Sequence, residues 1–234
     1  MPERGILLPF YLVIDVSVSM TGPKLDQANR ILPEIRDALA VNPILNDKVC
    51  FGVIDFSDEA QVVLPLCDLS RQTTLPGLVS RGGTSYGAAF RLMRKQIEQD
   101  VTQLRADGFQ VHRPAMFFLS DGEPTDDWKA DFKALTQYDK ETRVGFRPYP
   151  VVVPLGVEAA DHATMVQLVH PLNRSKLYMM KQGGDAAAAI RAMAEVLISS
   201  IIASGQGALE GGSGLVLPTA AQVPDDIEVE DDWL

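Results

Sequence analysis

Three short stretches carry oxygen-bearing side chains at spacings that suit chemistry. "DVSVSM" sets Asp15, Ser17 and Ser19 at alternate positions. "RGGTSYG" sets Thr84 and Ser85 behind two glycines, which let a backbone approach closely or adopt positive φ. "LSDGEPTDD" sets Ser120 and Asp121 before a turn, and none of the three stretches contains a histidine or cysteine. Three chemistries suit such a set: an aspartate nucleophile, a ligand set for a cation, or strand ends followed by helix caps. A phosphoryl-transferring aspartate needs a second carboxylate two residues on as general acid/base. That position is Ser17. Taken singly, Ser17 or Ser19 suits one cap, Thr84 or Ser85 another, and Asp121-Gly122 a turn. Taken together, two carboxylates balance a divalent charge, and three neutral hydroxyls add oxygen ligands without adding charge. That composition suits a hard cation, Mg²⁺ or else Mn²⁺ or Ca²⁺, held by Asp15, Ser17, Ser19, Thr84 and Asp121. An ion so held stays electrophilic toward an anionic oxygen from a partner. Gly83, Ser85 and Glu123 flank the ligands and are expected to touch that partner.

The elements that position these residues follow from hydrophobic pattern. "LLPFYLVI" (7–14) is an apolar run of buried-strand length, with Pro9 expected to limit pairing at its start. Residues 24–41 repeat apolar positions at helical spacing, and Pro33 is expected to kink or restart that helix. Runs 48–56 and 61–66 are separated by a hairpin-sized "SDEA", so they are expected to pair antiparallel. A helix over 85–104, a strand at 114–120, a helix over 126–140 and a strand at 149–156 follow. A short helix near 161–169, a strand at 176–180 and a helix over 185–203 capped by Asp185 complete the pattern. Strands that are apolar throughout and alternate with helices imply an α/β fold. Its central sheet is mostly parallel, with one short antiparallel strand and helices on both faces. In such sheets ligands gather beyond the carboxyl ends of the strands. The first strand and the strand at 114–120 deliver Asp15 and Asp121 there.

Hydrophobic residues make up 46% of 234, enough for a sizeable core. No uninterrupted apolar run approaches the ~20 residues of a membrane span, and the start lacks the form of a signal peptide. Cys50 and Cys67 lack metal-ligand spacing and read as buried free thiols, so a cytoplasmic protein is expected. The formal net charge of −10 argues against a nucleic-acid partner. Six of the acidic residues, and no basic one, fall in 222–234. The chain therefore divides into a domain over 1–203 and a flexible linker and acidic tail over 204–234. The tail reads as solvated. A second reading makes it a partner-binding peptide that adds to a sheet edge, with Trp233 as anchor.

"DVSVSM", "GGTS" and "LSDGEPTDD" together resemble the metal-ion-dependent adhesion site of von Willebrand factor type A domains, and element order agrees over about 7–203. The resemblance implies a Rossmann-like fold and an intact site for a divalent metal, usually Mg²⁺. The serines and threonine would touch the ion, and the aspartates would often act through water. It implies a non-enzymatic protein-binding module whose cation accepts an acidic side chain from its partner. "LPFYLVIDVSVSM", "VCFGVIDFSDEAQVVLPL" and "FFLSDGEPTDDW" are further similar to stand-alone bacterial TerY-like proteins linked to tellurite resistance. Those are associated with a PP2C-type phosphatase and a Ser/Thr kinase. The alternatives are an adaptor of an AAA+ ATPase and, less favoured, a haloacid-dehalogenase-like phosphotransferase.

Overall fold

The computed structural model describes residues 4–209, 214–231 and 233. Its eight strands are β1 (Arg4–Asp15), β2 (Val49–Phe56), β3 (Ala60–Cys67), β4 (Phe109–Val111), β5 (Ala115–Ser120), β6 (Val151–Gly156), β7 (Leu177–Met180) and β8 (Ile227–Glu230). Its helices are α1 (Pro23–Ala40), α2 (Pro43–Asn46), α3 (Tyr86–Ala106), α4 (Lys129–Thr136), α5 (His162–Gln167) and α6 (Ala186–Leu209). The strands form one sheet in the order β3-β2-β1-β5-β6-β7-β8, with β4 paired to the start of β1. The centre is parallel: Asp15 lies beside Phe56, Ile14 beside Leu119, and Ser120 beside Gly156. The antiparallel pairs are at the edges, β2 with β3 and β7 with β8.

Both sheet faces are covered, so β1 must be apolar at every position. Leu8, Phe10, Leu12 and Ile14 pack under α1 and α6, while Tyr11 and Val13 pack under α3, α4 and α5. Pro9 sits in this central strand without breaking it. Leu8 N–H donates to Lys48 O on the β2 side. The missing N–H of Pro9 therefore faces the other neighbour, at residues 112–114, where β4 has ended and β5 has not begun. α1 likewise runs unbroken past Pro33, because Ile31, Leu32, Ile35 and Leu39 bury on both sides of it. α4 is shorter than the pattern over 126–140 suggests. Asp126 serves another helix, and the chain after Thr136 turns back so that Tyr138 bridges Gly145. Asp185 caps α6 through Ala188 N–H, as expected.

The division expected at 203/204 falls inside α6, which continues to Leu209. Ser204 and Gly205 are small for packing, not for flexibility. Ser204 is fully buried and accepts from Val216 N–H, and a Cβ on Gly205 would come 2.9 Å from a methyl of Leu45. Residues 210–213 of the expected linker lie outside the described residues. Leu215, Leu217 and Val223 then pack against the core, and β8 joins the exposed edge of β7. Alternation makes this work: Ile227 and Val229 face the core while Glu228 and Glu230 face outward. Trp233 packs on the opposite face of the sheet. Among the described residues, α6 is the one helix long and apolar enough to cross a membrane by length and composition, and here half of that stretch is buried in the protein.

Candidate metal centre

β1 and β5 are neighbours, and the chain order reverses between them, so their carboxyl ends form the crevice where α/β sheets bind ligands. Asp15 ends β1 and is fully buried; Asp121 follows β5 and is 1% exposed. One oxygen of Asp15 accepts from Ser17 N–H at 2.8 Å and the other from Ser120 Oγ at 2.7 Å. The Ser17 and Ser19 hydroxyl oxygens lie 2.9 Å apart, and Ser19 Oγ donates to Asp121 Oδ1 at 2.7 Å. Four of the five expected ligands thus form one connected set. Burial, against the pull of the Ser17 and Ser120 hydrogen bonds and with added repulsion from Asp121, pushes the Asp15 carboxyl up to about 6.

The cap readings fail at each hydroxyl of this set. The N-cap of α1 is Gly22, and Ser17 makes no side-chain capping bond to the 3-10 turn behind it. The cap of α3 is Ser85, whose Oγ accepts from Ala88 N–H and donates to Asp126. Thr84, next to it, is 6% exposed, and its hydroxyl makes no hydrogen bond within the described protein. A Cβ on Gly122 would stand 3.9 Å from that hydroxyl, which places Thr84 Oγ1 beside the second aspartate loop. A hydroxyl with no protein partner, beside the loop that carries Asp121, has its lone pairs free for a ligand.

Supporting contacts hold the three loops together. Val18 N–H donates to Gly82 O, Arg81 N–H to Val16 O, and Ser80 Oγ to Ser17 O. Gly82 has φ +58°, and a Cβ there would come 2.3 Å from Asp58. Only glycine therefore fits, with Asp58 accepting from Gly83 N–H. Arg81 pairs with buried Asp55. Asp126 takes Ser85 Oγ and the amides of Tyr86 and Gly87 at the start of α3. Tyr86 OH donates to Gly122 O, tying α3 to the loop after β5.

Two residues at the site carry no motif signal. Lys24, at the start of α1, donates to Asp121 Oδ2 at 2.5 Å and bridges to Glu158 beyond β6. Burial alone would lower the Lys24 pKa, but Asp121 and Glu158 outweigh it and raise it. Of the residues expected to meet a partner, Glu123 is exposed. Gly83 spends its amide on Asp58, Ser85 spends its hydroxyl inside, and Trp233 packs on its own domain far along the sheet. The Ser85 hydroxyl thus turns away from the metal centre, and Trp233, expected as the anchor of a strand added to a sheet edge, lies beside its own chain's β8.

Residues 10–123 match the family model of the von Willebrand factor type A domain. The chain has the fold of a type A domain. Solved structures with this fold include a von Willebrand factor type A protein from Catenulispora acidiphila (15% identity, TM-score 0.55), aligned over 84% of this chain and 43% of that one. The pilus adhesin SpaC of Lactobacillus rhamnosus GG aligns over 84% of this chain and 30% of its own (16%, 0.56). The vWF domain of the pilus tip protein Mfa5 of Porphyromonas gingivalis aligns over 83% and 96% (12%, 0.50). The chain spans less than half the length of the first two. No protein with a curated description matches it. At these identities the likeness extends to the fold. Among the described residues no three His, Cys, Asp or Glu side chains converge on one point. The donor set is two carboxylates with hydroxyls, which fits a hard divalent cation and not a soft one.

Proposed function

We propose that this type A domain is a non-enzymatic, metal-dependent protein-binding module. Asp15, Ser17, Ser19, Thr84 and Asp121 would hold Mg²⁺, or Mn²⁺ or Ca²⁺, at the carboxyl edge of the sheet. The observation that carries the reading is the unpartnered Thr84 hydroxyl beside the connected Asp15–Ser17–Ser19–Asp121 set, with the capping duties met by other residues. When bound, the cation supplies an electrophilic position for an acidic side chain of a partner. Val18 (64% exposed) and Val79 (69%) stand in the two loops that wall the site and offer apolar contact around it. With Ser17 in place of a second carboxylate, the set lacks the general acid/base of an aspartyl phosphotransferase.

The resemblance to TerY-like proteins supports a finer reading: a cytoplasmic bacterial stress-response module working with a PP2C-like phosphatase and a Ser/Thr kinase. The test is affinity capture from lysate with and without EDTA, with captured proteins identified by mass spectrometry. A partner held in Mg²⁺, released by EDTA and lost with Asp15→Ala in a protein that keeps its circular dichroism supports the reading. Capture indifferent to both refutes it.

A further inference from the structure

The opposite, amino edge of the sheet holds a concentration of positive charge that the metal centre does not use. A cavity of about 380 Å³ opens beside the end of β4 and the start of β5, lined by Arg105, His112, Arg113, Lys140 and Arg147 together with Tyr138. Arg105 comes from the last turn of α3, His112 and Arg113 from the link between β4 and β5, and the others from the loop between α4 and β6. β5 separates this edge from Asp121 by roughly 20 Å. Among the described residues no acidic one lines the cavity, in a chain with formal net charge −10.

None of Arg105, Lys140 and Arg147 forms an ion pair among the described residues. Of the acids nearest in sequence, Glu141 is exposed and the other two bond elsewhere. Asp107 accepts from Gln103, and Asp139 accepts from the amides of Glu141 and Thr142. Arg113 is held in place: its guanidinium lies 3.6 Å from the centroid of the Tyr149 ring and donates to Tyr149 O at 2.7 Å. Burial, then the nearby Arg174, hold its pKa below the usual guanidinium range. His112 Nε2 is buried without a hydrogen-bond partner. One cation at the end of α3 is explained by the helix dipole. Four cations and an orphan imidazole around one cavity are not.

We propose that this cavity is a binding site for a phosphate-bearing anion. Guanidinium forks match phosphate oxygens bidentately, and a dianion or higher charge is needed to balance the set. A carboxylate carries too little. The volume falls in the range of small-ligand sites. The phosphate arrives either as a small molecule or on a phosphorylated side chain, and the two share the same recognition chemistry.

The experiment is isothermal titration calorimetry on the full chain in EDTA at low salt, so that no metal bridges the anion. Three probes are compared: inorganic phosphate, pyrophosphate and a phosphoserine peptide beside its unphosphorylated form. Arg147→Glu and Lys140→Glu alter exposed side chains, and Lys95→Glu, exposed higher on α3, controls for net charge. Saturable binding of at least one probe, about tenfold weaker or more in each cavity variant and little changed in Lys95→Glu, is expected. The probe that binds tightest identifies the source. No saturable binding of any probe, or equal loss in all three variants, overturns the proposal.

Discussion

Replacing Lys24 with Met separates a metal centre from a buried ion pair. Both oxygens of Asp121 are engaged in the protein as described: Oδ1 by Ser19 and Oδ2 by Lys24. The Lys24 side chain is 13% exposed and that of Asp121 is fully buried, so the hydrogen bond between them is charge-assisted and mostly desolvated. Such bonds contribute about 1.5–3 kcal/mol, and stripping a partner from a buried carboxylate costs more, about 3–5 kcal/mol. The ammonium is thus a tethered cation that neutralises Asp121 when no metal does. A divalent ion that draws on Asp121 must give back the Lys24 bond, which weakens its binding by roughly ten- to a hundredfold. Lys24→Met should therefore lower the melting temperature of the EDTA-treated protein and bind Mg²⁺ about ten- to a hundredfold more tightly. Thermal melts across a Mg²⁺ titration measure both, because stabilisation grows with the ratio of ion to dissociation constant. If the variant loses stability equally with and without Mg²⁺, Lys24 is a structural partner only. Unchanged or weaker Mg²⁺ affinity refutes the competition.

Thr84→Val keeps shape and removes a hydroxyl with no hydrogen-bond partner among the described residues. In EDTA it should change stability by no more than about 1 kcal/mol, because no protein hydrogen bond is lost, while abolishing most of the Mg²⁺-induced rise in melting temperature; a retained rise would remove Thr84 from the ligand set. The Asp15 carboxyl, raised to about 6, binds its proton more tightly in the folded state than in the unfolded one. The contribution of Asp15 to the stability of the metal-free protein therefore falls as pH rises from about 4 to about 6, by about 3 kcal/mol in all. A cation needs the carboxylate, so the Mg²⁺-induced stabilisation should be small near about pH 5 and large above about pH 7; denaturant melts at the two values check the sign. Ile227→Ala in β8, where Ile227 is 2% exposed, should cost about 2–4 kcal/mol and leave Mg²⁺ affinity unchanged. A loss under about 0.5 kcal/mol would mean that β8 does not hold the edge of β7 in solution.

The fold was readable because its signals were redundant. β1, β2, β5 and β6 are apolar on both faces, and the helices between them keep a 3.6-residue period, so order and type follow together. Asp15 and Asp121 were legible for the same reason, since each stands where an apolar run ends. The supports of the site were not. Lys24 and Glu158 lie in segments whose local pattern is ordinary, and they meet only because α1 and the loop after β6 open on the same sheet edge. Asp126 was hidden by a periodicity that assigned it to α4, when its carboxylate gathers the first amides of α3. The one available signal was a second acidic pair, "DD", following the turn closely, a weak cue without the fold.

The tail shows how composition misleads when spacing is the informative quantity. Six acids in thirteen residues suggest a solvated end. Yet Ile227 and Val229 alternate with Glu228 and Glu230, which is the pattern of a strand with one buried face. β7 is short and would otherwise end the sheet with an open row of amides and carbonyls, a template for another chain. β8 closes that edge in register, from Leu177 opposite Glu230 to Met180 opposite Ile227. Its charges also have partners: Glu230 with His162, and Asp231 with Lys176. The acids let the segment remain soluble while its alternate apolar residues dock, and they discourage a further strand from pairing with β8 in turn. The segment that composition marks as an appendage is the piece that makes this edge self-sufficient. The two ends of the sheet then differ in chemistry, one gathering buried carboxylates and hydroxyls, the other guanidinium groups.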